Sequence, residues 1–299
     1  MTWSAPRVLR WLKYYTVING FISAVAVASS ELLAASRHPS LSWLAVYGVS
    51  LARILLMLRW FEWIETKKTK ILGDKRHALT PSQRRAIYLR ICWLVVPTEC
   101  ISFYFAQRIT IGSSTVVQPT ASRNLVAFLA AFATFIPKSL VFEAAFDWFH
   151  YVAHWTCHQI VWLYQHVHKR HHWHLHPCAL STYEQDAIDL VLTNVLPFVC
   201  ATQLSPAFSP FQLQLLFAYK TYVEVAGHCG LEIKGFSFPQ MPLVSALGIC
   251  LRVHDHDLHH THPKCNFAKR FALWDKLFGT FQPGRTSTED HSSKQTRPC

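Results

Sequence analysis

Most of the histidines in this 299-residue chain lie in one region and are spaced for metal binding. Of the 18 histidines, all but His38, His77 and His291 lie between residues 150 and 262. Residues four apart share a face of an α-helix, so histidines at that spacing can converge on one ion. Three groups have suitable spacing: His150, His154 and His158; His168, His171 and His172; and His256, His259 and His260. The sequence therefore predicts a metal site.

The second and third groups both read HxxHH, a pattern that suits a pair of metal ions. On a helix this pattern puts the first and last histidines on one face and the middle one at an angle, so two facing elements can hold two neighbouring ions. Imidazole is a ligand of iron, zinc, copper and nickel, whereas Mg²⁺ and Ca²⁺ prefer oxygen. The HExxH, GxxxxGK[ST] and GxSxG motifs are absent. We therefore expect two transition-metal ions.

The composition indicates that a membrane surrounds the elements that position these histidines. The chain is 51% hydrophobic and 15% charged, with a mean hydropathy of +0.15, whereas soluble domains are about 25% charged. Four apolar runs are long enough to span a bilayer at 1.5 Å per residue: 14–35, 41–60, 86–106 and 124–146. The first run also resembles a signal peptide, but it is longer than a typical signal core and three more runs follow.

Charge in the loops predicts the orientation of these spans. The loop at 61–85 is rich in lysine and arginine, and the positive-inside rule places such a loop in the cytosol. Both ends of the chain and everything from Asp147 onwards would then be cytosolic. The net charge of +12 could also suit nucleic acid, but no aromatic residues are interleaved with the lysines, so we expect no nucleic-acid partner. The predicted fold class is all-α, a polytopic membrane protein with about four transmembrane helices and a cytosolic histidine-rich helical cap holding a dimetal site.

The predicted organisation has three parts. Residues 1–146 form the N-terminal transmembrane helices with the basic cytosolic loop 61–85, and residues 147–285 form a catalytic region. That region includes a hydrophobic hairpin at 187–225, which prolines interrupt and which is too short for two full crossings. Residues 286–299 form a polar tail that we expect to be disordered. The nine cysteines show no paired spacing, which favours reduced thiols.

The C-terminal motifs resemble those of a known family. The HDLHH at 256–260, the NF at 266–267 and the WDKLFGT at 274–280 resemble the fatty acid hydroxylase superfamily, membrane-bound di-iron enzymes that include sterol desaturases, C4-methyl sterol oxidases and cholesterol 25-hydroxylase. The resemblance spans residues 147–280 and implies nine metal ligands: His154, His158, His168, His171, His172, His228, His256, His259 and His260. The neighbouring histidines are as compatible with supporting or interfacial positions as with metal binding: His166, His174, His176, His254 and His262.

Two acidic residues stand where members of the family carry histidine. Glu224 lies four residues before His228, at a position that is histidine in some members, and Asp186 lies where members often carry a His-Pro pair. The resemblance implies that Glu224 and Asp186 are candidate catalytic residues, with Glu184 or a water as alternatives to Asp186. Glu224 could instead pair with Lys220, four residues earlier on the same helix face.

The family resemblance also implies an activity. It implies a membrane-bound non-haem di-iron oxygenase that uses O2 to hydroxylate or desaturate an apolar lipid, such as a sterol, terpenoid or fatty-acyl chain. Zinc can replace iron in isolated protein, since both accept imidazole. The chain lacks GxGxxG and HPGG motifs, so electrons must come from outside, and the resemblance implies cytochrome b5 with its NADH-dependent reductase at the endoplasmic reticulum. The alternatives are a metal transporter or metal-binding scaffold, and a zinc-dependent membrane hydrolase.

Overall fold

A computed structural model of the chain describes residues 5–36, 42–68, 70–71, 78–111, 124–233, 236–241, 244 and 247–284. Helices dominate this part of the chain, and it contains no strand longer than an isolated bridge, so the predicted all-α class is confirmed. The helices are α1 (Ala5–Ala35), α2 (Ser42–Glu65), α3 (Pro81–Arg90), α4 (Val96–Ile111), α5 (Leu125–Gln159), α6 (Ala187–Leu190), α7 (Leu196–Leu204), α8 (Pro210–His228), α9 (Val253–Thr261) and α10 (Leu273–Leu277). The predicted tail at 286–299 and residues 72–77 of the basic loop lie outside the described residues.

Helices in the described part of the chain are sufficient to embed the protein in a bilayer. Five helical runs are long and apolar enough to cross it: Leu12–Ala35, Ser42–Glu65, Pro81–Ile109, Leu125–Gln159 and Ala187–Leu204. The first four overlap the four predicted spans, and the fifth is the first arm of the predicted hairpin. The protein is an integral membrane protein, with one more candidate span than the sequence indicated.

Two π-helical turns explain why prolines do not end the helices. Ile91–Val95 precedes Pro97 in one run, and Val191–Val195 precedes Pro197 in the other. A proline has no N–H, and its ring crowds the carbonyl four residues earlier, so a wider turn lets the helix continue. The carbonyl of Thr193, four residues before Pro197, instead accepts a hydrogen bond from His150 Nδ1 at 2.6 Å. At Pro97 and Pro197, the proline therefore lies just after a wider turn in a continuing helix.

Helix α8 forms the centre of the bundle. It packs against α1, α2, α4 and α5, and nearly every one of its side chains is buried. Its start is well defined: Ser209 and Gln212 form a reciprocal capping box, and Pro210 occupies the first turn. Because α8 ends at His228, this central packing fixes the position of one of the predicted metal ligands.

Helix α5 joins the membrane region to the histidine region without a break. Its 35 residues correspond to about 52 Å, which exceeds a hydrocarbon core of about 30 Å. The helix runs through residue 146, where the sequence analysis ended the fourth span. Its buried stripe changes from phenylalanines to Glu143, Asp147, His150 and His154. The same rigid element therefore carries lipid-facing residues at one end and the first histidine group at the other.

Buried carboxylates attach the C-terminal segment to α5. Asp147 accepts hydrogen bonds from the backbone N–H groups of Lys269, Arg270 and Phe271 at 2.7, 2.6 and 3.0 Å. The guanidinium of Arg270 pairs with Glu143 at 2.7 Å, and both side chains are buried. These bonds hold the segment that follows α9 against the helix that carries the first histidine group.

The NF and WD motifs support this segment. Asn266 has a left-handed φ of 58°, a conformation that asparagine tolerates better than most residues. Its side-chain amide donates to the carbonyls of Asp255 and Gln282 at 2.8 and 2.7 Å. Asp275 accepts the backbone N–H groups of residues 267 and 268 at 2.8 and 2.9 Å. These motif residues shape the loop after α9 and do not lie in the histidine clusters.

Candidate metal centre

Nine buried or half-buried histidines form two clusters. The potential ligand atoms within each cluster all lie within 4.8 Å of one another. The first cluster comprises His154, His158, His168, His172 and His259, and the second comprises His171, His228, His256 and His260. These are the nine histidines that the family resemblance implied as ligands, and the structure brings all of them together.

Each HxxHH group contributes to both clusters. In α9, His256 and His260 join the second cluster, whereas His259 between them faces the first. The other group lies on a π-helical turn (Tyr164–His168) and a 3₁₀ turn (His171–Trp173), not on one regular helix. There the first and last histidines join the first cluster, and His171 joins the second. The spacing predicts this division of first and last histidines from the middle one, because the middle residue points to a different side.

Hydrogen bonds at Nδ1 fix the tautomers of several histidines. The Nδ1 atoms of His154, His228 and His259 lie 2.7, 2.9 and 2.7 Å from the backbone carbonyls of Phe267, Glu224 and Cys265. A carbonyl oxygen can only accept, so each Nδ1 carries the hydrogen and donates it. In a neutral imidazole the lone pair is then on Nε2, which is the arrangement of a metal ligand.

The contacts between Nε2 atoms show that these residues fit metal ions. His154 Nε2 and His168 Nε2 are 3.0 Å apart, and His228 Nε2 and His256 Nε2 are also 3.0 Å apart. The Nδ1 atoms of His154 and His168 donate to the Phe267 carbonyl and the Asp189 carboxylate, so in the neutral imidazole form neither Nε2 carries a hydrogen and two lone pairs face each other. Such a contact is repulsive without a cation, and a set of neutral imidazoles suits a transition metal. The buried Nε2 atoms of His158 and His259 have no hydrogen-bond partner among the described residues, which agrees with the same interpretation.

Burial favours the neutral imidazole form of the second-cluster histidines and of His259. Desolvation lowers the pKa of His171, His256 and His260 well below the usual value, and the neighbouring imidazoles lower it further. Burial also lowers the pKa of His228 to about 4 and that of His259 to about 3, although a backbone hydrogen bond opposes the shift in each. Only neutral imidazole binds a metal, so the site does not have to lose protons near neutral pH before it binds.

The remaining histidines of the region lie outside both clusters. His150 lies on the α5 face that carries His154, but its Nδ1 is bonded to the Thr193 carbonyl. His176 pairs with Asp257 at 3.0 Å, and His166 is exposed beside Trp162. His174, His254 and His262 also belong to neither cluster.

Glu224 is held by cations and does not contribute to either cluster. Its carboxylate lies 2.9 Å from Lys220, 3.2 Å from Lys269 and 3.7 Å from Arg270. The Lys220 pairing that the helical spacing allowed is therefore present. Only the backbone carbonyl of Glu224 contacts a cluster histidine, His228. The structure places this residue beside the metal centre, as part of a buried ion network.

Asp186 also lies outside the clusters. It is partly exposed and pairs with Arg170 at 2.9 Å and with Arg90 at 3.7 Å. Glu184, the alternative candidate at this position, pairs with the same two arginines. These carboxylates connect α3 to the second histidine group, and the structure shows no contact between either carboxylate and a cluster histidine.

Asp189 is a site residue that the sequence analysis missed. It is fully buried, and its carboxylate accepts a hydrogen bond from His168 Nδ1 at 2.8 Å. Gln185 donates to the other carboxylate oxygen at 3.3 Å. The available signal was a single acidic residue within the apolar run Ala187–Leu204, because a charge in such a segment usually has a specific partner.

A second cavity adjoins the histidine clusters. The cluster cavity is lined by histidines together with Thr182, Gln185 and Lys269, and these three residues also line a neighbouring cavity. The neighbouring cavity lies between α4, the α6–α7 run and α8. The two cavities therefore share a wall.

Comparison with known proteins agrees with this arrangement. The family model described as fatty acid hydroxylase matches residues 139–280. The chain is 30% identical to a fatty acid hydroxylase, vlmA, from Lecanicillium sp, over 62% of this chain and 54% of that protein. It is 31% identical to human cholesterol 25-hydroxylase, over 46% of this chain and 48% of that protein. It is 26% identical to sphinganine C4-monooxygenase 1 of Arabidopsis thaliana, over 51% of this chain and 56% of that protein. No solved structure matches significantly.

These comparisons confirm the resemblance inferred from the histidine groups and the C-terminal motifs. The matched region begins within α5 and ends at the last residue of the WDKLFGT motif. The chain spans about half the length of the curated relatives it matches. The relatives named here are hydroxylases or monooxygenases, and none is a transporter.

Proposed function

We propose that this protein, whose residues 139–280 match the fatty acid hydroxylase family model, is a membrane-bound oxygenase that hydroxylates or desaturates a lipid with O2 and external electrons. The observation that carries the proposal is the pair of histidine clusters, in the first of which the Nε2 atoms of His154 and His168 face each other at 3.0 Å while both Nδ1 atoms donate elsewhere. Such a ligand set serves a redox-active metal, and the relatives are lipid hydroxylases by name.

We propose two iron ions, one in each cluster. The first would be held by His154, His158, His168, His172 and His259, and the second by His171, His228, His256 and His260. A pair of iron ions would supply the O2 chemistry that removes hydrogen from an unactivated C–H bond, which amino-acid side chains cannot do.

The chain's own residues prepare the site for that chemistry. Asp189 and the carbonyls of Glu224, Cys265 and Phe267 hold four imidazoles in one tautomer and orientation. These four imidazoles are therefore oriented by the protein before a metal binds. Helix α8 is almost entirely buried and forms one side of the cavity beside the clusters.

Electrons must reach the site from a second protein in this proposal. The sequence has no dinucleotide or haem motif, and we propose cytochrome b5 with its NADH-dependent reductase as the donor. An acidic carrier would be attracted to a chain with a net charge of +12. We further propose that the protein lies in the endoplasmic reticulum, with its N-terminus and histidine clusters in the cytosol.

The proposal is tested by metal content and product analysis of purified protein in lipid nanodiscs. Active protein should hold two metal ions per chain, and lipids from cells with the gene should show a gain of one oxygen or a loss of two hydrogens. His259→Ala and His260→Ala each remove a ligand from a different cluster and should abolish product formation, with expression maintained. His166→Ala is the matched control, because that histidine is exposed and outside the clusters. Full activity in His259→Ala, or active protein with a single ion, would contradict the proposal.

A further inference from the structure

A chain of hydrogen-bonded side chains joins the wall between the two cavities to a histidine of the first cluster. Lys269 Nζ donates to Asn194 Oδ1 at 2.8 Å, and Asn194 Nδ2 donates to Gln185 Oε1 at 3.2 Å. Gln185 Nε2 in turn donates to Asp189 Oδ2 at 3.3 Å. The other carboxylate oxygen of Asp189 accepts the Nδ1 hydrogen of His168 at 2.8 Å. The ammonium group of Lys269 is therefore connected to a proposed metal ligand through two amides and a carboxylate.

The two ends of this chain set the direction of both amides. An ammonium group can only donate and an ionised carboxylate can only accept. Asn194 therefore turns its oxygen towards Lys269, and Gln185 turns its nitrogen towards Asp189. Thr193 supports this independently, because its hydroxyl donates to the backbone carbonyl of Asp189 at 2.8 Å. Its oxygen is then an acceptor for the amide nitrogens of Asn194 and Gln185, which lie 3.3 and 3.5 Å away. Each amide thus has one orientation that suits all of these neighbours.

Burial makes the direction of the amides important for Asp189. Asp189 is fully buried and Asn194 is 6% exposed. Among the residues that the structure describes, the Asp189 carboxylate has two hydrogen-bond donors, His168 and Gln185. Loss of the Gln185 donor would leave a buried carboxylate oxygen unpaired, which is costly, and would disturb the remaining bond to His168. The orientation of the His168 imidazole therefore depends on amides that it does not touch.

We propose that Gln185 and Asn194 are positioning residues of the first cluster, which act through Asp189 to hold the His168 imidazole in its metal-binding orientation. The inference rests on the proposed function, since it assigns the two amides to one ligand of the proposed metal centre. Asn194 is the better position for a test. It lines the neighbouring cavity and not the cluster cavity, and its printed partners include no cluster histidine.

An isosteric reversal of one amide tests this proposal. Asn194→Asp places a second oxygen where the amide nitrogen was, so the Gln185 amide must turn over and direct its own oxygen at Asp189. Zinc-loaded protein in nanodiscs is titrated with a chelator, and His158→Ala and His228→Ala identify the release steps of the two clusters. In Asn194→Asp the step of the first cluster should move to about three- to tenfold lower chelator concentration, the range of one hydrogen bond. The step of the second cluster should not move.

A double variant separates positioning from a general structural effect. Asp189→Asn supplies an N–H that can donate to the turned Gln185 oxygen, and it keeps an oxygen for His168. Combined with Asn194→Asp, it completes the same chain in the opposite direction. In the Asp189→Asn background, Asn194→Asp should therefore weaken the first cluster by less than about twofold, whereas independent structural effects would add. Asn194→Leu breaks the chain without adding a charge, and alone it should give the same selective loss as Asn194→Asp.

Gln212→Glu is the matched control for a carboxylate in place of a buried amide. Gln212 lies at the opposite end of α8 from His228, and its amide nitrogen donates to Ala131 and Thr134. This variant should leave both release steps unchanged. Unchanged release in both Asn194 variants, equal loss from the two clusters, or additive losses in the double variant would overturn the proposal. Failure of the proposed function is a separate result: wild-type protein with two metal ions and a reductant that consumes no O2 with any lipid would show it, whatever the Asn194 variants do.

Discussion

Asp189 offers a sharp test of how the first cluster is organised. Its carboxylate accepts the Nδ1 hydrogen of His168 at 2.8 Å in a fully buried position. Asp189→Asn keeps the shape but removes the charge and one acceptor oxygen. A hydrogen bond to a charged group contributes about 1.5–3 kcal/mol, and loss of such a supporting partner lowers metal affinity about 10- to 100-fold. A 10- to 100-fold loss equals about 1.4–2.8 kcal/mol, so the two estimates agree.

The assay is competition of zinc-loaded protein with a chelator, in which we expect the ions of the two clusters to be released in separate steps. His158→Ala and His228→Ala assign the steps, since each removes a ligand of one cluster. In Asp189→Asn only the step of the first cluster should move to lower chelator concentration. The second cluster is the internal control, because none of its histidines contacts Asp189.

Asp147→Asn is the control for a general loss of stability. Asp147 is equally buried, but its carboxylate accepts backbone N–H groups and no histidine. This change should lower the melting temperature without favouring the loss of a metal ion from either cluster. Asp189→Asn could weaken metal binding equally in both clusters, or leave metal release from both unchanged. Either result would refute the assignment of Asp189 to the first cluster.

Three further changes probe the ion pairs. Arg270→Met leaves Glu143 buried without its partner and should lower the free energy of unfolding by about 3–5 kcal/mol. Denaturation in detergent measures this change. A decrease below about 1 kcal/mol would contradict a stabilising buried pair. Lys220→Met should leave the metal content at two ions per chain, because Glu224 keeps its two other cations and is not in a cluster; loss of an ion would show a metal-linked role. Asp186→Asn should change stability by less than about 1 kcal/mol and leave product formation intact, since its ion pairs are partly exposed; an inactive variant with full metal content would restore Asp186 as a catalytic candidate.

Histidine spacing predicted the site because its geometry is local. In α9 and in the turns at 164–173, the direction of each imidazole depends on residues three or four positions away. Hydropathy located the first four membrane helices for a similar reason, since each span is a continuous apolar run.

The features that the sequence analysis missed depend on distant partners. His168 and Asp189 are 21 residues apart, and Glu224 is balanced by Lys269, 45 residues later. Helix α5 continues past residue 146 because Asp147 is compensated by backbone N–H groups from 269–271. Hydropathy scores such a carboxylate as an interruption, because it records the charge and not its partner.

The division of each cluster between early and late parts of the chain has a consequence for biosynthesis. Four histidines of the first cluster, His154, His158, His168 and His172, precede the fifth, His259, and the last of the four lies 87 residues before it. That distance corresponds to about 4 to 17 s of translation at 5–20 residues per second. For that interval a nascent chain in the membrane presents an incomplete histidine set. Copper and zinc bind such nitrogen ligands more tightly than ferrous iron does. Correct loading with the proposed iron therefore depends on metal supply while the last helix of the site is still being made.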